Sequence, residues 1–233
     1  MKGKIITLAV LISILVCGMS SMSKAQEKGT NNMIEVEVEG ANIKFEMSNS
    51  NEIETEYYGT GSDEIYDLVT LKDGDNYKII LNRIGTGIGP TLNDGGVLIK
   101  IPDRDINLLC INGKIGSGIV LDDINIDGNI ITENCAVRIN NKNSDNKLNI
   151  DSYRDDYKIN SEPISKDFEL KAKQSCIEFA FTEQPTNLKF QLSDSFCNIK
   201  LPSDWSRDFT IGLEQPRMIV DAYECVFQLL INN

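Results

Sequence analysis

Strict alternation of apolar and polar residues is the feature that most limits what this chain can become. The stretch "IEVEVEG" sets Ile34, Val36 and Val38 against Glu35, Glu37 and Glu39. An extended backbone sends successive side chains to opposite faces, so this reads as a strand with one buried face. Wound at 3.6 residues per turn, the same residues would scatter around a helix. "NIKFEM" repeats the pattern with Ile43, Phe45 and Met47, "LKFQL" with Leu188, Phe190 and Leu192, and "CNIKL" with Cys197, Ile199 and Leu201. Turn-forming clusters separate such segments: "GTGS" from 59, "KDGDN" from 72, "NDGG" from 93, "NNKNSDN" from 140 and "PSD" from 202. No window of a dozen residues carries an amphipathic helical stripe. The expected class is all-β, with helix minor.

The segments change character near residue 100. Residues 34–100 form a strand and hairpin region, in which "LVTLKDGDNYKIIL" places two strands around Asp73-Gly74. Residues 101–233 are short, closely spaced strands. Cysteines recur among them at 110, 135, 176, 197 and 225. Short strands at a loose period of this size predict a solenoid-like stack of coils, continuous with the first region. A β-sandwich is the alternative. The apolar stretch "MIVDAYECVFQLLINN" is expected to be the last coil, closing the open end as a C-terminal cap.

The chain opens with a basic start at Lys2 and Lys4, an apolar run "IITLAVLISILVCG" and small residues Ser23 and Ala25. Residues 1–25 thus read as a signal peptide cleaved after Ala25, followed by a linker over 26–33. A retained N-terminal anchor is the alternative. Cys17 would suit a lipid-modified cysteine, but Val16 before it is a poor match to that site. Losing residues 1–25 removes three lysines and no acid, so the formal charge of −12 becomes −15. Phosphate backbones and anionic lipid surfaces repel such a chain, which disfavours nucleic acid and membrane insertion of the mature protein.

Chemistry is limited by what is missing. The sequence has no histidine, which excludes Ser-His and Cys-His pairs and cysteine–histidine zinc sites. Five cysteines follow residue 25, an odd and sparse count. Most are expected to be buried as small hydrophobes, with one pair a candidate for oxidation.

Four stretches invite a functional reading. "DINIDGNIITE" approaches the spacing of a calcium loop through Asp123, Asn125 and Asp127. Its acid, Glu133, falls at position 11 instead of 12, and the flanks read as strands, so these residues are weak calcium candidates. The glycines of "GTGIGPTLNDGG" (85–96) lack the lysine and helix of a phosphate loop. Asp103 and Asp105 flank Arg104, and with Asp122 and Asp123 they supply acids for glycoside hydrolysis, were two of them to converge. Trp205, the sole tryptophan, is a possible ligand contact of the kind that stacks on a sugar.

The run "VLIKIPDRDINLLCINGKIGSGIVLDDINIDGNIITENCAVRI" resembles the bacterial putative-adhesin β-solenoid domains of unknown function. Lys100-Ile101-Pro102, Gly116-Ser117-Gly118 and Gly128 occupy the places of that family's strand ends and turn glycines. The resemblance covers most of residues 34–200 and rests on turn glycines of low specificity. This chain departs from it by carrying one G-S-G and by its cysteines. It implies an exported β-solenoid with an adhesive role inferred from shape.

The resulting expectation is a secreted or cell-surface, non-enzymatic binding or scaffolding protein without a cofactor. Its partner would be an extracellular protein or polysaccharide. A polysaccharide-degrading enzyme on a β-helix is the alternative.

Overall fold

A computed structural model describes residues 32–59, 62–84, 95–103, 106–141, 146–161, 167–182, 187–197, 208–212 and 218–231. The expected signal peptide, most of the linker, Cys17, most of the glycine-rich loop, Asp105 and Trp205 lie outside these.

The strands are β1 (Met33–Glu39), β2 (Asn42–Ser48), β3 (Glu54–Tyr58), β4 (Tyr66–Asp73), β5 (Asn76–Arg83), β6 (Gly96–Pro102), β7 (Leu108–Lys114), β8 (Gly118–Asp122), β9 (Asp127–Glu133) and β10 (Ala136–Asn141). They continue as β11 (Leu148–Tyr153), β12 (Asp156–Ser161), β13 (Phe168–Lys173), β14 (Cys176–Phe181), β15 (Leu188–Ser193), β16 (Phe196–Cys197), β17 (Asp208–Ile211), β18 (Met218–Tyr223) and β19 (Val226–Ile231). One short helix, α1 (Ser62–Ile65), joins β3 to β4.

From β7 to β16, consecutive strands alternate between two sheets. Through β16 the odd-numbered strand of each pair joins one sheet and the even-numbered strand the other, so each pair makes one coil. β17 then joins the first sheet, and β18 and β19 make a further coil with β18 in the first sheet and β19 in the second. Neighbouring coils pair in parallel and in register. Gly128, Leu148 and Phe168 lie side by side, which sets a repeat of 20 residues between these coils. The inward faces of both sheets share a single core, from Ile34 and Val36 at one region to Phe179, Phe190 and Phe227 at another. The chain is all-β, as the alternation predicts, and its two sheets stay open.

Three parts of the sequence reading need correction. The cysteines do not mark the repeat. Cys135 and Cys225 are buried corner residues, Cys110 is half-buried on β7, and Cys176 is exposed at the start of β14. These four thiols are free, so no oxidised pair lies among them. Secondly, residues 34–100 are not hairpin-built throughout: β1 and β2 pair only with other strands. They make a parallel coil wedged between β5/β6 and β7/β8. The antiparallel hairpin is β4–β5, whose Asp73 pairs with Asn76 around Gly74 at φ 60°. Thirdly, the C-terminal apolar stretch is not the last coil. β18 lies between β13 and β15, and β19 between β14 and β16, while β17 pairs antiparallel with the outer side of β15.

Candidate functional site

Each coil must turn sharply from one sheet to the other, and the same local device serves at seven corners among the described residues. A residue in the left-handed conformation is followed by a small, inward-facing one: Gly40-Ala41, Gly116-Ser117, Asn134-Cys135, Arg154-Asp155, Gln174-Ser175, Asp194-Ser195 and Glu224-Cys225. The left-handed φ turns the chain, and the residue after it is buried because it points into the seam between the sheets. Glycine takes this conformation without steric cost. The five other residue types carry strain of roughly 1 kcal/mol each.

A turned backbone leaves N–H groups without a sheet partner, and a buried polar group needs one. Here the corner side chain of the next coil accepts it. Cys135 N donates to Asp155 Oδ1 at 2.7 Å, Asp155 N to Ser175 Oγ at 3.1 Å, Ser175 N to Cys225 Sγ at 3.4 Å, and Cys225 N to Ser195 Oγ at 3.1 Å. The corners therefore form a ladder down the seam.

Asp155 is the charged rung. Its carboxylate also accepts from Thr132 Oγ1 at 2.7 Å, Ser152 Oγ at 2.8 Å and Tyr153 N at 3.0 Å. Thr132 has a single hydroxyl proton, given to Asp155, so the Tyr157 hydroxyl donates to Thr132 at 2.7 Å. Burial pushes the Asp155 carboxyl above its ordinary range, while hydrogen bonds from Cys135 N, Thr132 and Ser152 pull it back part of the way. Burial, with the Asp155 charge beside it, pushes the Cys135 thiol up to about 12. A carboxyl and a thiol so perturbed would mark a catalytic centre if they faced a cleft. They do not: Asp155 is 4% exposed, Cys135 5% and Tyr157 0%, so no substrate reaches them. Their chemistry holds the corner.

The accessible chemistry lies on the two outer faces. On one, Lys100, Glu46, Asp122, Asn140 and Asn160 stand in register across β6, β2, β8, β10 and β12. Asn140 Nδ2 donates to Asp122 Oδ1 at 3.2 Å, and Asn160 Nδ2 to Asn140 Oδ1 at 2.9 Å. Lys44 bridges Glu46 and Asp122, and Lys100 pairs with Glu56 at 2.9 Å. On the other face, Asn149 donates to Asn129 at 2.9 Å, and Lys78 binds Glu37 at 2.8 Å and Glu35 at 3.2 Å. These rows have the inter-strand spacing of about 4.8 Å. Their members lie from 18 residues apart, as Asp122 and Asn140 do, to 43 apart, as Glu35 and Lys78 do, and farther still at Glu46, so only the coil register brings them together.

The sequence candidates fare differently. Asp127 and Glu133 stand at opposite ends of β9, roughly 20 Å apart along an extended strand, and cannot share one ion. Asp123 turns the chain at φ 48° and its N–H donates to Asn140 O at 2.7 Å; Asp127 Oδ1 accepts Lys147 N at 2.8 Å. Asn125 is exposed between the buried Ile124 and Ile126. Among the described residues there is no group of three or more acids or cysteines placed to hold a metal. Asp103 follows β6, and Asp122 ends β8 on the far side of β2, which leaves roughly 10 Å or more between their strands. The Asp155 ladder had a sequence signal: small or polar residues at 155, 175 and 195 repeat at the coil period of 20.

No family model and no curated protein matches the chain. Its fold is similar to the crystal structure of a "putative cell adhesion protein" from Clostridium sporogenes. That likeness has a TM-score of 0.40 and 11% identity, covering 84% of this chain and 91% of that one. It is too loose to carry over any residue or role. Among the described residues, no helix is long and apolar enough to cross a membrane.

Proposed function

We propose that this is an exported, non-enzymatic binding or scaffolding protein of the cell surface, adhesin-like in using a sheet face as its contact. The observation that carries the reading is the in-register row Lys100–Glu46–Asp122–Asn140–Asn160. A straight row of donors and acceptors at about 4.8 Å intervals suits an extended polymer, polypeptide or polysaccharide, better than a compact metabolite. The acids of the row are tied to Lys44 and to asparagine amides, which leaves a face of mixed polarity despite the acidic chain. The basic start, apolar run and Ala25 of the leader support export.

The test is a binding screen of the purified chain against immobilised extracellular-matrix proteins and cell-wall polysaccharides. Retention on one of them should fall about tenfold, 1.4 kcal/mol, in an Asn140→Lys, Asn160→Lys variant with an unchanged circular dichroism spectrum. Binding indifferent to that row, or release of sugar fragments from a polysaccharide, would overturn the reading.

A further inference from the structure

The C-terminal coil sits where chain order does not put it. β13/β14 and β15/β16 are consecutive along the sequence, yet β18/β19 lies between them. Three successive links between coils have the same length of six residues: 142–147 from β10 to β11, 162–167 from β12 to β13, and 182–187 from β14 to β15. The first two links climb to the adjacent coil, and the third passes over an inserted one.

Register makes this more than a curiosity of threading. Phe168 pairs with Met218, and Met218 with Leu188, so β15 already holds the 20-residue register in which it would pair with β13 directly. The corner ladder is equally indifferent to the insert. Ser175 N now donates to Cys225 Sγ, and Cys225 N to Ser195 Oγ. With the insert gone, Ser195 Oγ stands one step from Ser175 N, in the relation that Ser175 Oγ now has to Asp155 N. The slot therefore has two well-formed arrangements, open around a strand pair and closed upon itself.

The inserted pair carries its own strong demand for a slot. Met218, Val220, Ala222, Cys225, Phe227 and Leu229 are all buried, and both strands bond to neighbours on each side. Outside the stack that surface would be exposed. We propose that the slot between β13/β14 and β15/β16 is an acceptor site, and that a second copy of this chain can fill it with its own Met218–Ile231 segment. The contacts in the exchanged assembly are the same as those within one copy, so exchange alters few interactions beyond the hinge. Only residues 212–217 separate β17, fixed on β15, from β18. A hinge this short favours reciprocal exchange in a closed pair over a long open fibre. The inference rests on topology and stands apart from the polymer-binding reading above.

Cys176 and Val226 give a direct test, because they are register partners on β14 and β19 and both are exposed. In the full chain, Val226→Cys should close a disulfide with Cys176 of the same copy. A chain carrying Val226→Cys and Cys176→Ser is then partly unfolded and refolded together with the unsubstituted chain, and oxidised. The expected product is a covalent heterodimer whose disulfide maps to positions 176 and 226, in a yield that rises with protein concentration during refolding. Overturning results are an intrachain bond in the single variant with no such heterodimer at any concentration, or no 176–226 bond in either experiment. Light scattering on the unsubstituted chain, refolded dilute and concentrated under reducing conditions, supplies a readout independent of disulfides. Dimer only in the concentrated sample agrees with exchange, and monomer in both opposes it.

Discussion

The Asp155 carboxylate accepts the backbone N–H of Cys135 at 2.7 Å, across the boundary between two adjacent coils. The contact joins residues twenty positions apart that occupy the same place in successive turns of the stack. It makes the corner a line of mutual support, and it places the most perturbed ionisable groups of the described chain in the scaffold.

Replacing Asp155 by alanine strands the N–H groups of Cys135 and Tyr153 and the hydroxyls of Thr132 and Ser152. The expected loss is about 3 kcal/mol, read as a lower urea midpoint. Asp155→Ser copies the corners at 175 and 195, so it should lose about half as much. Equal losses in the two variants would show that the ladder bond contributes little.

Alkaline pH should unfold the protein through its thiols. Cys135 is held at about 12 against an ordinary 9.0, and burial also raises Cys110, Cys225 and Tyr157. Between those two values the folded chain keeps protons that the unfolded chain releases. The stability they contribute is complete below pH 9 and is lost as pH climbs towards 12. Melting temperature should fall across that window, and Cys135→Ala should flatten part of the decline. Asp155 has the same sign at lower pH: its contribution is full below 3.8 and lost as pH rises through the higher folded value. Asp155→Asn should remove that part of the acid-side dependence.

Backbone geometry makes opposite predictions at two positions. A Cβ on Gly96 would collide with the Asn42 carbonyl oxygen, so Gly96→Ala should cost about 3 kcal/mol or prevent folding. Asp194 holds φ 49°, where glycine is at ease. Asp194→Gly should therefore raise the urea midpoint, with a gain of about 0.5 kcal/mol after the added freedom of the unfolded chain is counted. A lowered midpoint would show that the Asp194 side chain holds its corner.

Phe179 is fully buried among three rings, with centroids 5.7 Å from Phe168, 5.7 Å from Phe181 and 5.8 Å from Phe227. Phe227 belongs to the inserted coil, so Phe179→Ala removes packing on both sides of the slot boundary. The expected cost is about 4 kcal/mol in chemical denaturation. A loss below about 1 kcal/mol would mean that this part of the core is loosely filled.

The strand faces were legible residue by residue. Ile34, Val36 and Val38 are buried as their alternation demands, and the Asp73-Gly74 turn joins the hairpin that it predicts. Cys135 misled because its segment, "NIITENCAVRI", reads as one long strand. It is two strands with a corner at Asn134, and asparagine is a weaker sign of a left-handed turn than the glycine at 116. The spacing of Asp123, Asn125 and Asp127 imitates a calcium loop for a related reason: Asp123 is a left-handed turn residue in the short link between β8 and β9, and Asp127 begins the next strand.

What the sequence determined by itself is therefore local: period-two burial, the Asp73-Gly74 turn, all-β class and the absence of histidine chemistry. The order of the coils was decided only in the tertiary structure. Met218, Val220 and Ala222 present the same alternating face as Leu188, Phe190 and Leu192, and backbone ladders pair without regard to side-chain identity. Every coil thus fits several slots by local criteria. Which slot the two terminal coils occupy follows from how the whole core packs, where Phe227 meets Phe179 and Phe190.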